Sequence, residues 1–262
     1  MKKLLQIILC IIFIFTLLNI NNKKYTNYRV FTDAGLDDEI ALRLLFEYII
    51  ENDNSNIWIS AVSGNTDVED VYRNVLTIIS EYINKLPANT KIYIDKYEAD
   101  YDEYSTFFGI DGLNGRQNKD VVNPSNSTKE NVFDDGEIIV ISLSPCTLTA
   151  KYVKDNLNNR SDNVYVMAGR LNNEYEFNAS FDIDAYNYLV DIGSTIIYAD
   201  YLEEYESIMN DDKLRTNLFS SIVEVEPIIT SLYHDYYDLM ISINENTCCY
   251  DGVAMYLILN GE

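Results

Sequence analysis

The chain has 262 residues, is 47% hydrophobic, and carries a formal net charge of −23, from 19 Lys and Arg against 42 Asp and Glu. That apolar content is enough for the core of one large domain. No basic stripe accompanies the acids, which excludes nucleic acid as the expected partner; the acidity itself bears on solubility rather than on fold.

Lys2 and Lys3 precede a predominantly apolar run from Leu4 to Ile20. Residues 1–24 therefore read as a signal peptide or signal anchor. The run is at the lower limit for spanning a bilayer. A secreted and a membrane-tethered protein are both compatible with it, and either places the rest of the chain outside the cytoplasm. Residues 25–262 read as a single domain, with no internal repeat and no linker.

The first predicted strand, Tyr28-Arg29-Val30-Phe31, runs into Thr32-Asp33-Ala34-Gly35-Leu36-Asp37-Asp38-Glu39. An apolar helical pattern follows at once through Ile40, Leu42, Leu44, Leu45 and Tyr48. Asp33, Asp37 and Asp38 are thereby expected at the C-terminal end of a strand, in a tight turn and at a helix start. Ligands of α/β proteins bind at that edge of a sheet. Asp at a helix start also serves as an N-terminal cap, and one of the three acids could do no more than that. Three crowded carboxylates repel one another unless a cation sits among them, and hard ions such as Ca²⁺ and Mg²⁺ take oxygen ligands.

Further along, strand-like and helix-like segments alternate. Ile57 to Val62 predicts a strand, Val68 to Ile83 a helix, and Lys91 to Ile94 a short strand. Glu137 to Ser142 predicts a continuous apolar strand, Thr147 to Leu157 a helix, and Asn163 to Met167 and Ser194 to Ala199 two more strands. This alternation predicts an α/β fold, an open and mostly parallel sheet with helices on both faces. Residues 99–136 are polar and aperiodic and read as a long loop. Cys146, Cys248 and Cys249 show no CxxC spacing and read as buried thiols. Asn126, Asn159 and Asn178 fit the glycosylation sequon.

Several polar clusters follow strand ends as the opening motif does. They are Gly64-Asn65, Gly109-Ile110-Asp111-Gly112, Ser144-Pro145-Cys146-Thr147-Leu148, Glu176-Phe177-Asn178 with Asp182-Ile183-Asp184-Ala185, and Tyr250-Asp251-Gly252. Together with Phe31 to Asp38, and in this order, they resemble the nucleoside hydrolase family of the inosine–uridine-preferring type. The resemblance runs from about Tyr28 to near the end of the chain. The opening motif and Glu176-Phe177-Asn178 are its specific parts.

The resemblance implies Ca²⁺-dependent hydrolysis of the N-glycosidic bond of a ribonucleoside, giving ribose and free base. It implies calcium ligation by the side chains of Asp33, Asp38 and Asp251 and by the carbonyl of Leu143. Asp33 would also be the general base toward the attacking water. Asp37 and Asn65 would hold the ribose hydroxyls, and Met167, Glu176 and Asn178 would line the ribose. Asn172 or Asn173 would stand for a further ribose-side Asn. A homo-oligomer is compatible with the family.

The chain departs from the family pattern at Phe31 (for Asp), Ala34 (for Pro), Glu39 (for a small residue), Ser144 (for Gly) and Tyr250. Many members carry a His at the last of these, which is thought to protonate the leaving base. Tyr250 can stack on a base, but an ordinary phenol is a poor proton donor at neutral pH. The substitution leans toward purine nucleosides and leaves His234, the only histidine, as a second candidate acid. Two other readings fit the same residues: a non-catalytic calcium- and ribonucleoside-binding protein, and an interaction protein on a calcium-stabilised scaffold.

Overall fold

A computed structural model describes residues 25–261 except 53, 99–106, 172–173, 204–226 and 244–247. The predicted leader lies outside the described residues. No described helix is long and apolar enough to cross a membrane.

Six parallel strands form the sheet. They are β1 (Tyr25–Thr32), β2 (Ser55–Val62), β3 (Ile92–Tyr97), β4 (Gly136–Leu143), β5 (Val164–Met167) and β8 (Thr195–Ile197), in the order β3-β2-β1-β4-β5-β8. Between β5 and β8, two short antiparallel strands, β6 (Arg170–Leu171) and β7 (Glu174–Tyr175), form a separate ribbon. The helices are α1 (Leu36–Asn52), α2 (Val68–Ser80), α3 (Thr147–Asn156), α4 (Phe177–Ser180), α5 (Ile183–Asp191), α6 (Pro227–Ser242) and α7 (Tyr250–Asn260). Residues 199–203 add a helical turn after β8. The open parallel sheet with helices on both faces is the expected architecture. The long polar loop is described from residue 107, and residues 107–135 hold turns but no helix or strand.

Alternation along the strands divides the core into two layers. Tyr28 and Val30 of β1 and Ile57 and Ile59 of β2 pack under α1, α2, α6 and α7. Phe31, Trp58 and Val140 face the other way, toward α3 and α5. α1 is buried along almost its whole length because α7 lies against it. Arg29 is an unexpected core residue on the α3 side. Its guanidinium stacks on Phe31 at 3.9 Å and Trp58 at 4.0 Å, and donates to the Ser60 hydroxyl at 2.6 Å. Aromatic faces and an internal acceptor offset the cost of burying that charge.

The strand order reverses at β1, whose two neighbours are β2 and β4. Register pairs Thr32 with Leu143 at the C-terminal ends of β1 and β4. The loops after these strands therefore diverge over a crevice at the switch point, where open α/β sheets bind ligands.

Candidate active site

Asp33, Asp37 and Asp38 leave β1 at this crevice, and Asp251 enters it from the first turn of α7. All four are buried. One carboxylate oxygen each from Asp33, Asp38 and Asp251 lies within 4.8 Å of the others. Two oxygens on one Ca²⁺ can lie at most about 5 Å apart, twice a ligand distance of about 2.5 Å, so the set fits. The donors are all oxygens, which suits a hard cation. Asp37 Oδ1 and Asp251 Oδ1 are buried without a hydrogen-bond donor. Leu143 ends β4 beside Thr32, which brings its carbonyl to the same edge.

The surrounding sequence explains how the acids are held. The Thr32 hydroxyl donates to Asp38 Oδ1 at 2.5 Å, and the Gly35 N–H donates to Asp38 Oδ2 at 2.9 Å. The Asn65 N–H donates to Asp33 Oδ2 at 3.0 Å, and the Asn65 amide reaches Asp38 Oδ2 at 3.4 Å. Gly64 permits this approach: a Cβ there would lie 2.1 Å from Asp33 Oδ2. Asn74 donates to the Ala34 carbonyl at 3.0 Å and the Asp111 carbonyl at 2.6 Å, tying the long loop to the acidic turn.

The electrostatics of the cluster favour a bound cation. Burial, then the Asp38 charge, pushes the Asp37 carboxyl up to about 7. Burial pushes Asp38 up to about 6 against the opposing hydrogen bond from Thr32. Asp33 and Asp251 are raised well above the usual carboxylate range, first by burial and then by the neighbouring Asp38. Four acids so raised are costly to ionise together unless positive charge compensates them.

Three departures from the expected pattern acquire physical reasons. Phe31 points into the α3 layer, so it takes no part in the acidic cluster; Thr32, on the other face of β1, supports Asp38 instead. Glu39 is buried but paired, with Arg43 at 2.8 Å and with Arg116 of the long loop. Ala34 adopts a left-handed φ of 39°, which a proline ring cannot reach.

A cavity of about 280 Å³ opens beside the cluster. Its lining includes Asp33, Asp37, Asn65, Leu143, Met167, Glu176, Asn178 and Asp251. These are the residues singled out for the metal and the ribose, apart from Asp38, which is fully buried within the same acidic cluster. The Asn178 amide donates to the Met167 carbonyl at 3.1 Å. That buried position also removes Asn178 as a surface glycosylation site. Glu176 caps α4 by accepting from the Asn178 and Ala179 N–H groups at 2.9 and 2.7 Å. Burial raises its carboxyl to about 7 even so.

The rest of the lining is aromatic or apolar: Phe107, Phe108, Phe177, Tyr236, Met240 and Tyr250. Sequence reading found only Tyr250 of these. Phe177 sits inside a motif already singled out, and Tyr236 belongs to a Tyr-rich stretch, but nothing local marks the rest. His234 lies on the exposed side of α6, outside the lining to which Tyr236 and Met240 of the same helix contribute. Asn172 and Asn173 lie outside the described residues. Cys146, Cys248 and Cys249 are buried thiols, as expected.

Comparison with known proteins follows the same line. The model of the family "inosine-uridine preferring nucleoside hydrolase" matches residues 29–262. No curated protein matches. Among solved structures, an inosine-guanosine nucleoside hydrolase is similar over 90% of this chain and 79% of its own, at 16% identity and a TM-score of 0.58. A purine-preferring ribonucleoside hydrolase from Gardnerella vaginalis is similar over 90% of this chain and 80% of its own, at 18% identity and a TM-score of 0.54. These likenesses show a shared fold, and the family match extends over nearly all of the chain beyond its predicted leader. With the acidic crevice and its cavity in place, the chain belongs to the inosine-uridine preferring nucleoside hydrolase family.

Proposed function

We propose that the chain hydrolyses ribonucleosides with Ca²⁺ held by Asp33, Asp38, Asp251 and the Leu143 carbonyl, and that it favours purine nucleosides. One observation carries the reading: four acids are buried together, two with undonated oxygens, at a cavity that among the described residues is lined by no Lys, Arg or His. Asp33, Asp38 and Asp251 would hold a hard divalent cation there, whose chemistry would be to offset the carboxylate charges and lower the pKa of a water.

The side chains divide the remaining work. Asp33, held by the Asn65 N–H, would accept a proton from the attacking water. Asp37 has an oxygen without a donor, and a ribose hydroxyl would supply one. Cleavage of a glycosidic bond develops positive charge on the sugar. Glu176, ionised, would stabilise that charge, and Asn178 would orient the ribose. Loss of a sugar hydroxyl would leave buried acceptors unpaired, which favours ribose over 2′-deoxyribose.

The purine preference is supported by the four aromatic rings and the Tyr250 phenol at the base end, which offer broad stacking faces. Both fold neighbours named above are purine-acting by name. The apolar N-terminal segment supports a location outside the cytoplasm.

The decisive experiment measures reducing sugar released from inosine, guanosine, adenosine and uridine, with Ca²⁺ and with chelator, for the wild type and Asp33→Asn. Release is expected with Ca²⁺ only, falling roughly 10²–10⁴-fold in Asp33→Asn. Protein that binds Ca²⁺ yet releases no ribose from any of the four would refute the proposal.

A further inference from the structure

We infer that Glu203 is a positioning residue for base recognition: it holds the Tyr250 hydroxyl so that the Tyr250 oxygen meets the base as a hydrogen-bond acceptor. The inference rests on the hydrolase reading for what occupies the cavity. Tyr250 opens α7, and Glu203 comes from the helical turn after β8. The Tyr250 hydroxyl donates to Glu203 Oε1 at 2.5 Å. That length is at the short end for an O–H donating to a carboxylate, the stronger class of hydrogen bond.

A phenol has one hydrogen. Once it is given to Glu203, the oxygen has only lone pairs to offer the cavity. Tyr236, the other hydroxyl of the lining, gives its hydrogen to the Cys248 carbonyl at 2.7 Å. Phe107, Phe108, Phe177 and Met240 add apolar faces and no N–H. Among the described residues, these side chains therefore present acceptors beside apolar faces. A base with an N–H at its edge, such as hypoxanthine with its ring N1–H, gains a partner there. Unsubstituted purine turns a ring-nitrogen lone pair toward the same oxygen and gains none. Tyr250 also cannot protonate the leaving base without first taking its hydrogen back from Glu203, so its part is recognition.

The test compares kcat/KM for inosine and purine riboside on the full chain with Ca²⁺, in the wild type, Tyr250→Phe, Glu203→Ala and Glu203→Gln. Comparing the ratio across variants cancels the different leaving abilities of the two bases. The inosine preference is expected to drop about tenfold in Tyr250→Phe and Glu203→Ala, chiefly through KM, as a lost hydrogen bond would. Glu203→Gln keeps an acceptor oxygen and should restore the ratio, which a merely structural role would not require. Unchanged ratios in Tyr250→Phe and Glu203→Ala overturn the inference. Absence of turnover by the wild type would instead refute the hydrolase reading. Calorimetric titration of the same two nucleosides then decides: tighter inosine binding that is lost in Glu203→Ala upholds the pair, and equal or absent binding overturns it.

Discussion

The hydroxyl of Thr32 donates to Asp38 Oδ1 at 2.5 Å, and its oxygen accepts the Ala34 N–H at 3.1 Å. One side chain at the end of β1 thus sets both the turn and the orientation of an acid on the first turn of α1. Partners behind a metal ligand commonly change affinity 10–100-fold when removed. Thr32→Val, which keeps the shape and deletes the hydroxyl, is expected to weaken Ca²⁺ binding by about that range. Calorimetric titration checks it, and an unchanged affinity would show that Asp38 is held by Gly35 and Asn65 alone.

The raised carboxyls make a prediction about pH and metal together. An acid whose folded pKa is raised stabilises the fold below its unfolded value, and that contribution is lost as pH rises through the folded value. Asp38 at about 6 and Asp37 at about 7, with Asp33 and Asp251 also raised, put this loss across neutral pH. Chelated protein should therefore melt at a lower temperature at pH 8 than at pH 5. Added Ca²⁺ should raise Tm more at pH 8, where the site is ionised before the ion arrives. An equal or larger Ca²⁺ effect at pH 5 would contradict the four-acid site.

Glu176 gives a separate pH signature. Burial lifts its carboxyl to about 7, and only the ionised form stabilises a positive sugar. Wild-type kcat/KM should fall as pH drops below about 7. In Glu176→Gln the share of that limb due to Glu176 should be lost, leaving a shallower fall from the acids of the cluster, with activity at pH 8 lower by roughly 10²-fold, the scale of removing one transition-state partner. The Gln side chain can still cap α4 through its oxygen, so a lower Tm without the kinetic change would mark Glu176 as structural.

What was legible in the sequence was local. A strand, an acid, a glycine, two acids and an amphipathic helix occur within about twenty-five residues, and both the crevice and three of its four acids could be read there. Alternating strands and helices gave the parallel sheet for the same reason. Asp251 and Leu143 entered only through resemblance, because the fold brings them to β1 from more than a hundred residues away. Phe108, Met240 and Glu203 carry no local mark, since a base-facing apolar side chain and a core one look alike in sequence. The β6–β7 ribbon is too short for periodicity to reveal, and Arg29, charged in mid-strand, gave no sign of the aromatic stack that buries it.

Ala34 offers the sharpest test of how this chain departs from its family. Its φ of 39° is left-handed, a region that costs a non-glycine residue roughly 1–2 kcal/mol. The turn keeps that geometry because both its ends are fastened: the Ala34 N–H to Thr32 and the Ala34 carbonyl to Asn74. Proline, the family's residue here, is locked near −65° and has no N–H to give. Ala34→Pro should thus destabilise the chain by more than about 1 kcal/mol and weaken Ca²⁺ binding, although it restores the family's residue. Ala34→Gly should preserve both the fold and the affinity, because glycine accepts left-handed backbone without strain. Denaturant unfolding with and without Ca²⁺ measures the two variants side by side. A proline variant as stable and as tight-binding as wild type would mean that the turn is right-handed, and that Asp33 and Asp38 are spaced by the family's geometry rather than by this chain's own.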